Sequence, residues 1–563
     1  MAKRMKEKNE RNKGKIVLNI IIVVIFLAIV SGVFYFSPNY IKEDYEGKTK
    51  ILINNNNVTL KMKNDVYIDE NNNVFMSMPD IKNYFDKYIE YDKEDGDIVT
   101  TSEINIAKLS TEKNTITING EEEELNSSAI KKGETIYLPF SEISQKVYDV
   151  NLYIKDTNTI IIDSLDRKQE TATVNKNTKI KYKPQIFSRT LDKIKENEKV
   201  VFIEEKKDWA KVRTIDGTIG YIKKDKLNDL EVVREEKNYI NKVDGKINLV
   251  WDYYSEYANA PDRKDEKMDG VNVVSPAFFS IMKGSNGEIN DNAKEEGKAY
   301  IKWAHNNKYQ VWAMFSNNSL KDTTSQILND YEKRESMIEN LISLVEKYDI
   351  DGVNVDFENM NESDKDVYSR FLIELAPRLK KMGKTLSVDV TASDGSATWS
   401  LCFDRDVIAD VSDYVIFMAY DQYGTGSSKA GTTAGYNWVE ANIKKFLGQE
   451  DVPPEKLVLG IPLYMRTWEE KRDGTYVPNI VNMNDLFDVL PENQVATWDE
   501  DLKQYYVEYE KKGKKYKMWI ENEKSIGEKI NLAKKYNLAG IAFWEKDREP
   551  NTEFWTFVKE ELN

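Results

Sequence analysis

Cysteine and histidine are almost missing from this 563-residue chain, which has one of each, Cys402 and His305. A lone cysteine closes no internal disulfide, so stability has to come from packed cores. A lone histidine removes zinc sites built from several His or Cys ligands and the paired-His helices of metalloproteases, so no metal and no cofactor is expected. A Ser-His-Asp triad would have to use His305, in the helical-looking "IKWAHNNKYQ", where it reads as a surface residue. Positive charge is also scarce. The formal net charge is −15, and an acidic chain makes a poor nucleic-acid partner because phosphate contacts need Lys/Arg patches. Carboxylates and aromatics abound instead: 96 Asp and Glu, 32 Tyr and 11 Trp. Together they suit acid–base chemistry and stacking on sugar rings.

Long apolar runs are absent except for one, Ile16 to Phe36, preceded by a basic stretch with Lys3, Arg4, Lys6, Lys8, Arg11, Lys13 and Lys15. About 20 apolar residues span a bilayer as a helix, whereas a cleaved signal has an apolar core of about 7–15 and a small-residue cleavage site. This run ends in the bulky "GVFYFSPNY". Residues 1–15 therefore read as a cytoplasmic basic tail and 16–36 as an uncleaved transmembrane helix. Everything after Pro38 then lies outside a cell membrane crossed once, on the wall side of a bacterium.

Residues 50–166 carry an internal repeat. "VFMSMPDIKNYFDKYIEYDKEDGDIVTTS" aligns with "IYLPFSEISQKVYDVNLYIKDTNTIIIDS", each copy reading as strand, Pro turn (Pro79, Pro139), short amphipathic helix and two-stranded hairpin. Two such units bury together what one cannot. "DENNNV" from Asp69 lacks the Gly of a calcium loop and reads as a turn. Residues 171–230 read as a small β-barrel, with a tight hairpin at Asp216-Gly217. The charged "VREEKNYINKVDGK" reads as a linker.

From 246 to 563, eight strand-like segments alternate with helix-like ones: "INLVWDYY", "VNVVSPAFFSI", "YQVWAMFS", "DGVNVDFE", "TLSVDVTA", "DYVIFMAYD", "LVLGIPLY" and "AGIAFWE". Eight strand–helix units predict an α/β fold, a TIM (β/α)8 barrel. The fourth segment alternates in an unusual sense: Val353, Val355 and Phe357 at one parity, Asn354, Asp356 and Glu358 at the other. In a closed barrel the apolar set faces the helices. The polar set faces the interior and climbs to the C-terminal mouth, where active sites of this fold sit. Asp356 and Glu358, roughly 6–7 Å apart at Cα, cannot both ionise cheaply, so one pKa is raised. Such a pair is either an acid poised near neutral pH or a set of acceptors for neighbouring amides. "GTGSSKAGTT", after the sixth strand, lacks P-loop spacing and reads as a loop over the mouth.

These motifs carry resemblances. "DGVNVDFE" resembles the DxxDxDxE signature of glycoside hydrolase family 18, the chitinase-like family, with Asp351, Asp356 and Glu358 matching and Asn354 replacing the middle Asp. "MAYDQYG" resembles the family's sixth strand, giving Met418, Tyr420 and Asp421. "GIPLYMR" resembles the seventh, giving Tyr464 and Arg466, and "GIAFWE" places Trp544 at the eighth. "DGVNVDFEN" is most similar to the branch with spore-cortex-lytic enzymes and other bacterial wall hydrolases. Residues 50–166 resemble the N-terminal domain of copper amine oxidases, without histidines for copper. Residues 171–230, through Trp209 to Ile222, resemble bacterial SH3-like domains, which often contact wall peptides.

The family resemblance implies a substrate-assisted hydrolase of N-acetylglucosamine linkages in peptidoglycan or chitin-like glycans. Glu358 would be the acid and base, with Asp356 and Tyr420 handling the acetamido group. Trp544, Met418, Asp421, Asn354, Tyr464 and Arg466 would line the substrate, while Asp351, at the strand's start, is structural. In the family pattern the middle Asp shares a proton with the next. Asn354 is expected to donate to Asp356 instead, which would let Asp356 ionise more readily. A barrel of this family without activity would be a carbohydrate-binding protein, or a scaffold tethered to the wall.

Overall fold

The computed structural model describes residues 14–29, 45, 47–93, 95–155, 159–237, 239 and 243–562. The chain divides into two compact units that meet in sequence near residue 238. Residues 14–29 are helical and expose their apolar side chains. Among the described residues no helix is long and apolar enough to cross a membrane. The expected span 16–36 runs past that helix, and its remainder, like residues 1–13, lies outside the described residues.

The internal repeat folds as its pattern predicts. In the first copy Val74–Ser77 leads into the helix Met78–Tyr84, capped by Ser77, and then into the paired strands Glu90–Tyr91 and Asp97–Thr101. The second runs Thr135–Leu138, helix Phe140–Tyr148, and the hairpin Val150–Lys155 with Thr159–Ser164. The copies meet where Leu138 pairs with Met76, and Ile81, Ile143, Val147 and Ile162 share one core. Asp69 accepts from the Asn71 and Asn73 amides, an ordinary turn.

Residues 169–234 form a seven-stranded antiparallel sheet around Val174, Ile180, Val212 and Ile222. Two boundaries differ from expectation. Glu231–Arg234, which lies beyond the expected end of the barrel at 230 and whose last two residues open the expected linker, pairs with Gln169–Thr173. The turn at Asp216 is a three-residue loop rather than a two-residue one: Gly217 N–H donates to Thr214 O, Thr218 closes the ladder on Thr214, and Gly217 takes φ +84°. That is the type I turn plus left-handed residue of a bulged hairpin.

All eight barrel strands occur where the alternation puts them, at Ile247–Asp252, Val273–Pro276, Gln310–Ser316, Gly352–Asp356, Thr385–Val390, Tyr414–Met418, Leu457–Pro462 and Gly540–Trp544. Every neighbouring pair is parallel, and the eighth strand closes on the first through Ile247 and Gly540. Side-chain parity sorts the core into two clusters. Val250, Val274, Val353, Val355, Phe357, Val388 and Phe543 pack under the helices. Leu249, Trp251, Trp312, Met314, Ile416, Val458 and Ala542 fill the interior. Each such burial contributes roughly 1.5–3 kcal/mol. Gly352 makes room inside: a Cβ there would sit 2.7 Å from Thr385 O and 2.8 Å from Trp312.

One expected unit is incomplete. No helix follows the first strand; residues 253–272 are loop, because "YANAPDRKDEKMDG" offers no apolar stripe at helical spacing. The seventh unit is enlarged by a five-stranded antiparallel sheet within residues 464–520.

Candidate active site

The fourth strand is delivered by the helix Tyr331–Tyr348, whose Met337, Ile338, Leu341 and Val345 pack on the barrel. Asp330 caps its start, and Asp349 ends it in the left-handed conformation, φ 48°. The strand's first carboxylate is structural as expected. Asp351 accepts from Val311 N–H and pairs with His305 Nε2, both at 2.8 Å. The chain's one histidine thus belongs to this pair, outside any triad.

Along the inward parity come Asn354, Asp356 and Glu358. Asn354 is fully buried and bonded on both sides. Its Oδ1 accepts from Trp251 Nε1 at 2.8 Å and Ser275 Oγ at 3.1 Å, while its Nδ2 donates to Ser387 Oγ at 3.1 Å and Asp389 Oδ1 at 2.8 Å. Two expectations change here. Asn354 is a hub beneath the mouth rather than a substrate contact, and it donates to Asp389 rather than to Asp356. Asp356 is partly exposed as a residue, yet its Oδ1 is sealed from solvent and has no hydrogen-bond donor. Burial, and then the charge of Asp389, hold it well above the usual carboxylate range. The expected readier ionisation does not occur, because burial dominates at Asp356 and Asp389 adds a like-charged neighbour from the next strand.

Glu358 stands just past the strand's end, partly exposed. Its backbone is clamped by Asn317, which accepts from Glu358 N–H at 3.0 Å and donates to Glu358 O at 2.8 Å, and Asn359 then turns at φ 52°. Burial, reinforced by Asp356 and Asp421, pushes its carboxyl up to about 8. At neutral pH it holds a proton that it can give away, as a general acid must.

Tyr420 follows the sixth strand. Its hydroxyl is pushed upward by burial and by the surrounding acidic groups, so it stays a neutral donor. Its ring meets Tyr464 edge-on at 6.2 Å. Tyr464 donates its hydroxyl to Asp421, which Arg466 also holds at 2.6 Å. Asp421, Tyr464 and Arg466 thus form one polar cluster between the sixth-strand loop and the inserted sheet. Met418 lies buried on the inward parity. Trp544, partly exposed, ends the eighth strand between Trp251 at 5.7 Å and Tyr253 at 5.8 Å, and its peptide to Glu545 is cis.

Three residues escaped the sequence reading: Asp389, Asn317 and Tyr253. Asp389 was visible as the second polar inward position of "TLSVDV", after Ser387. Asn317 left no signal, because its partner is backbone on a neighbouring strand. Among the described residues no cluster of His, Cys, Asp and Glu suited to a metal occurs.

The profile of "Glycosyl hydrolases family 18" matches residues 249–549, and that of the "Copper amine oxidase N-terminal domain" matches residues 52–162. The Bacillus subtilis glycosylase YvbX is 27% identical over 300 residues, covering 51% of this chain and 84% of that protein. The cortical fragment-lytic enzyme of Bacillus anthracis is 24% identical over 298 residues, covering 50% of this chain and 68% of its own length. A chitinase structure from Chromobacterium violaceum superposes with a TM-score of 0.50 at 23% identity, covering 56% of this chain and 99% of that one, a likeness of fold.

Proposed function

The chain belongs to family 18 of the glycosyl hydrolases, and from that premise we propose that it cleaves N-acetylglucosamine linkages in peptidoglycan with assistance from the substrate itself. Glu358 protonates the leaving glycosidic oxygen and then, as a carboxylate, takes a proton from the incoming water. The attack on the anomeric carbon comes from the sugar's own 2-acetamido carbonyl, the exception to the usual carboxylate nucleophile. Asp356 accepts the acetamido N–H, Tyr420 donates to the acetamido oxygen, and Trp544 floors the ring. Asp421, held by Tyr464 and Arg466, flanks Tyr420 and lifts Glu358 by its charge.

The observation that carries this reading is the pairing at the mouth. A carboxyl raised to about 8 stands at the rim, and a partly exposed Asp356, itself held high by burial, lies one inward position below it. The upper carboxyl keeps a proton for the glycosidic oxygen, and the lower one is placed to meet an acetamido N–H. Peptidoglycan as substrate is supported by the cortical fragment-lytic relative. The test is mass spectrometry of muropeptides after purified peptidoglycan meets the wild type and Glu358→Gln. Equal digestion by the variant ends the assignment. Wild-type binding without release of reducing ends favours a carbohydrate-binding protein.

The apolar side chains exposed along residues 14–29 and the basic residues before them support a single-pass anchor, with the hydrolase on the wall side. Recovery from cells of a mature chain beginning after residue 36 would overturn it. The repeat unit and the seven-stranded unit serve as wall-facing spacers; deleting residues 50–235 should keep activity and lose localisation.

A further inference from the structure

One hairpin of the seven-stranded unit runs against the acidic charge of the chain. From Thr178 to Lys195 there are five lysines and one arginine against a single acid, Asp192, in a chain whose net charge is −15. Thr178–Lys181 pairs with Thr190–Ile194, and the register sets Lys179 directly opposite Lys193. Ile180 and Ile194 point into the core of the unit, so these two lysines point outward. Opposed like charges weaken a sheet, yet among the described residues no ion pair relieves Lys179, Lys193, Lys183 or Arg189. Asp192 is engaged by the Lys193 N–H at 2.7 Å and the Thr218 hydroxyl at 3.4 Å.

Lys181 serves the hairpin itself. Its Nζ donates to Ser188 O at 3.0 Å and to Thr190 Oγ1 at 3.1 Å. The tip is held as an ordered turn by Tyr182 N–H on Arg189 O at 3.0 Å, Lys183 N–H on Ser188 Oγ at 2.8 Å and Ser188 N–H on Gln185 O at 3.1 Å. On that turn Tyr182, Ile186 and Phe187 are 51%, 60% and 61% exposed, the pattern of side chains offered to something other than water. Apolar groups flanked by cations fit the headgroup boundary of an anionic bilayer, where the former enter the acyl edge and the latter meet phosphates. A polyol-phosphate polymer of the wall would answer the cations and leave the apolar tip in water.

We propose that this hairpin is a membrane-binding element: Tyr182, Ile186 and Phe187 seat in the surface of an anionic phospholipid bilayer while Lys179, Lys183, Arg189 and Lys193 meet its phosphates. The hairpin is the membrane-side end of the spacer, and its contact needs neither the hydrolase activity nor the glycan.

The test uses the full chain with Ile186→Cys bearing a polarity-sensitive fluorophore; Cys402, fully buried, stays unlabelled. The labelled chain is reconstituted with vesicles of phosphatidylcholine, with or without phosphatidylglycerol. With phosphatidylglycerol the emission should shift to the blue and be shielded from an aqueous quencher, and added salt should reverse both. Lys179→Gln/Lys193→Gln should lower the bound-to-free ratio of the tip about thirtyfold. Equal emission in the two lipids overturns the inference. So does emission that moves only when a soluble polyol-phosphate polymer is added, an outcome that assigns the face to the wall instead. The label reports on the tip alone, so an inactive hydrolase leaves every one of these outcomes readable.

Discussion

Glu358 and Glu374 are the same residue type in two regions of one barrel, yet they end in opposite states. Glu374 lies in the helical shell, on Lys365–Lys381, and is fully buried. Burial pushes its pKa up, but Arg334 at 2.8 and 3.0 Å and Arg370 at 2.7 Å outweigh burial and leave it below the usual range. Glu358, at the mouth, has acidic neighbours instead and rises to about 8. At Glu374 two arginines outweigh depth. At Glu358 burial acts together with the charges of Asp356 and Asp421, and the result is an acid.

The comparison is broken most severely at the mouth. Glu358→Gln should lower turnover by about 10²–10⁴-fold, the usual worth of a positioned general acid, with muropeptide release as the readout and the melting curve unimpaired. In the shell the opposite pattern is expected. Glu374→Gln leaves Arg334 and Arg370 buried against a neutral amide and should cost about 3–5 kcal/mol of stability, measured by denaturant unfolding, while folded enzyme keeps its rate.

Acidity sharpens the contrast. The Glu374 contribution is present above the ordinary Glu pKa and is lost as pH falls through the lowered folded value. The Glu358 contribution has the reverse sign: it is present below the ordinary glutamate value of 4.5 and is lost as pH rises through about 8. Activity should fade along that same alkaline limb. In Glu358→Gln the stability decline with rising pH should be shallower than in wild type, as followed by melting temperature against pH. The smallest effect is expected at the barrel's other end. His305→Ala removes one half-exposed partner of Asp351 and should cost less than about 1 kcal/mol.

Much of this was legible in one dimension. Periodicity located all eight strands, because a strand whose two faces meet different environments writes its parity into the sequence. The same argument put Val353, Val355 and Phe357 outside and Asn354, Asp356 and Glu358 inside. It could not supply the partners of those inward groups. Asn354 was expected to serve Asp356, its neighbour along the strand, but its donor goes across to Asp389 on the next strand. Nor did periodicity warn that the first strand's helix is missing, or that residues 464–520 build a sheet of their own.

By itself, then, the order of residues determined the barrel, the rim position of Glu358 and the exclusion of internal disulfides and of zinc sites built from several His or Cys, since these follow from spacing and from which side chains exist. The tertiary structure alone decided the protonation pattern. A carboxyl's charge is set by whatever lies within a few ångströms of it, and those neighbours, Asp389 beside Asp356 and Asp421 near Glu358, come from strands far away in the chain.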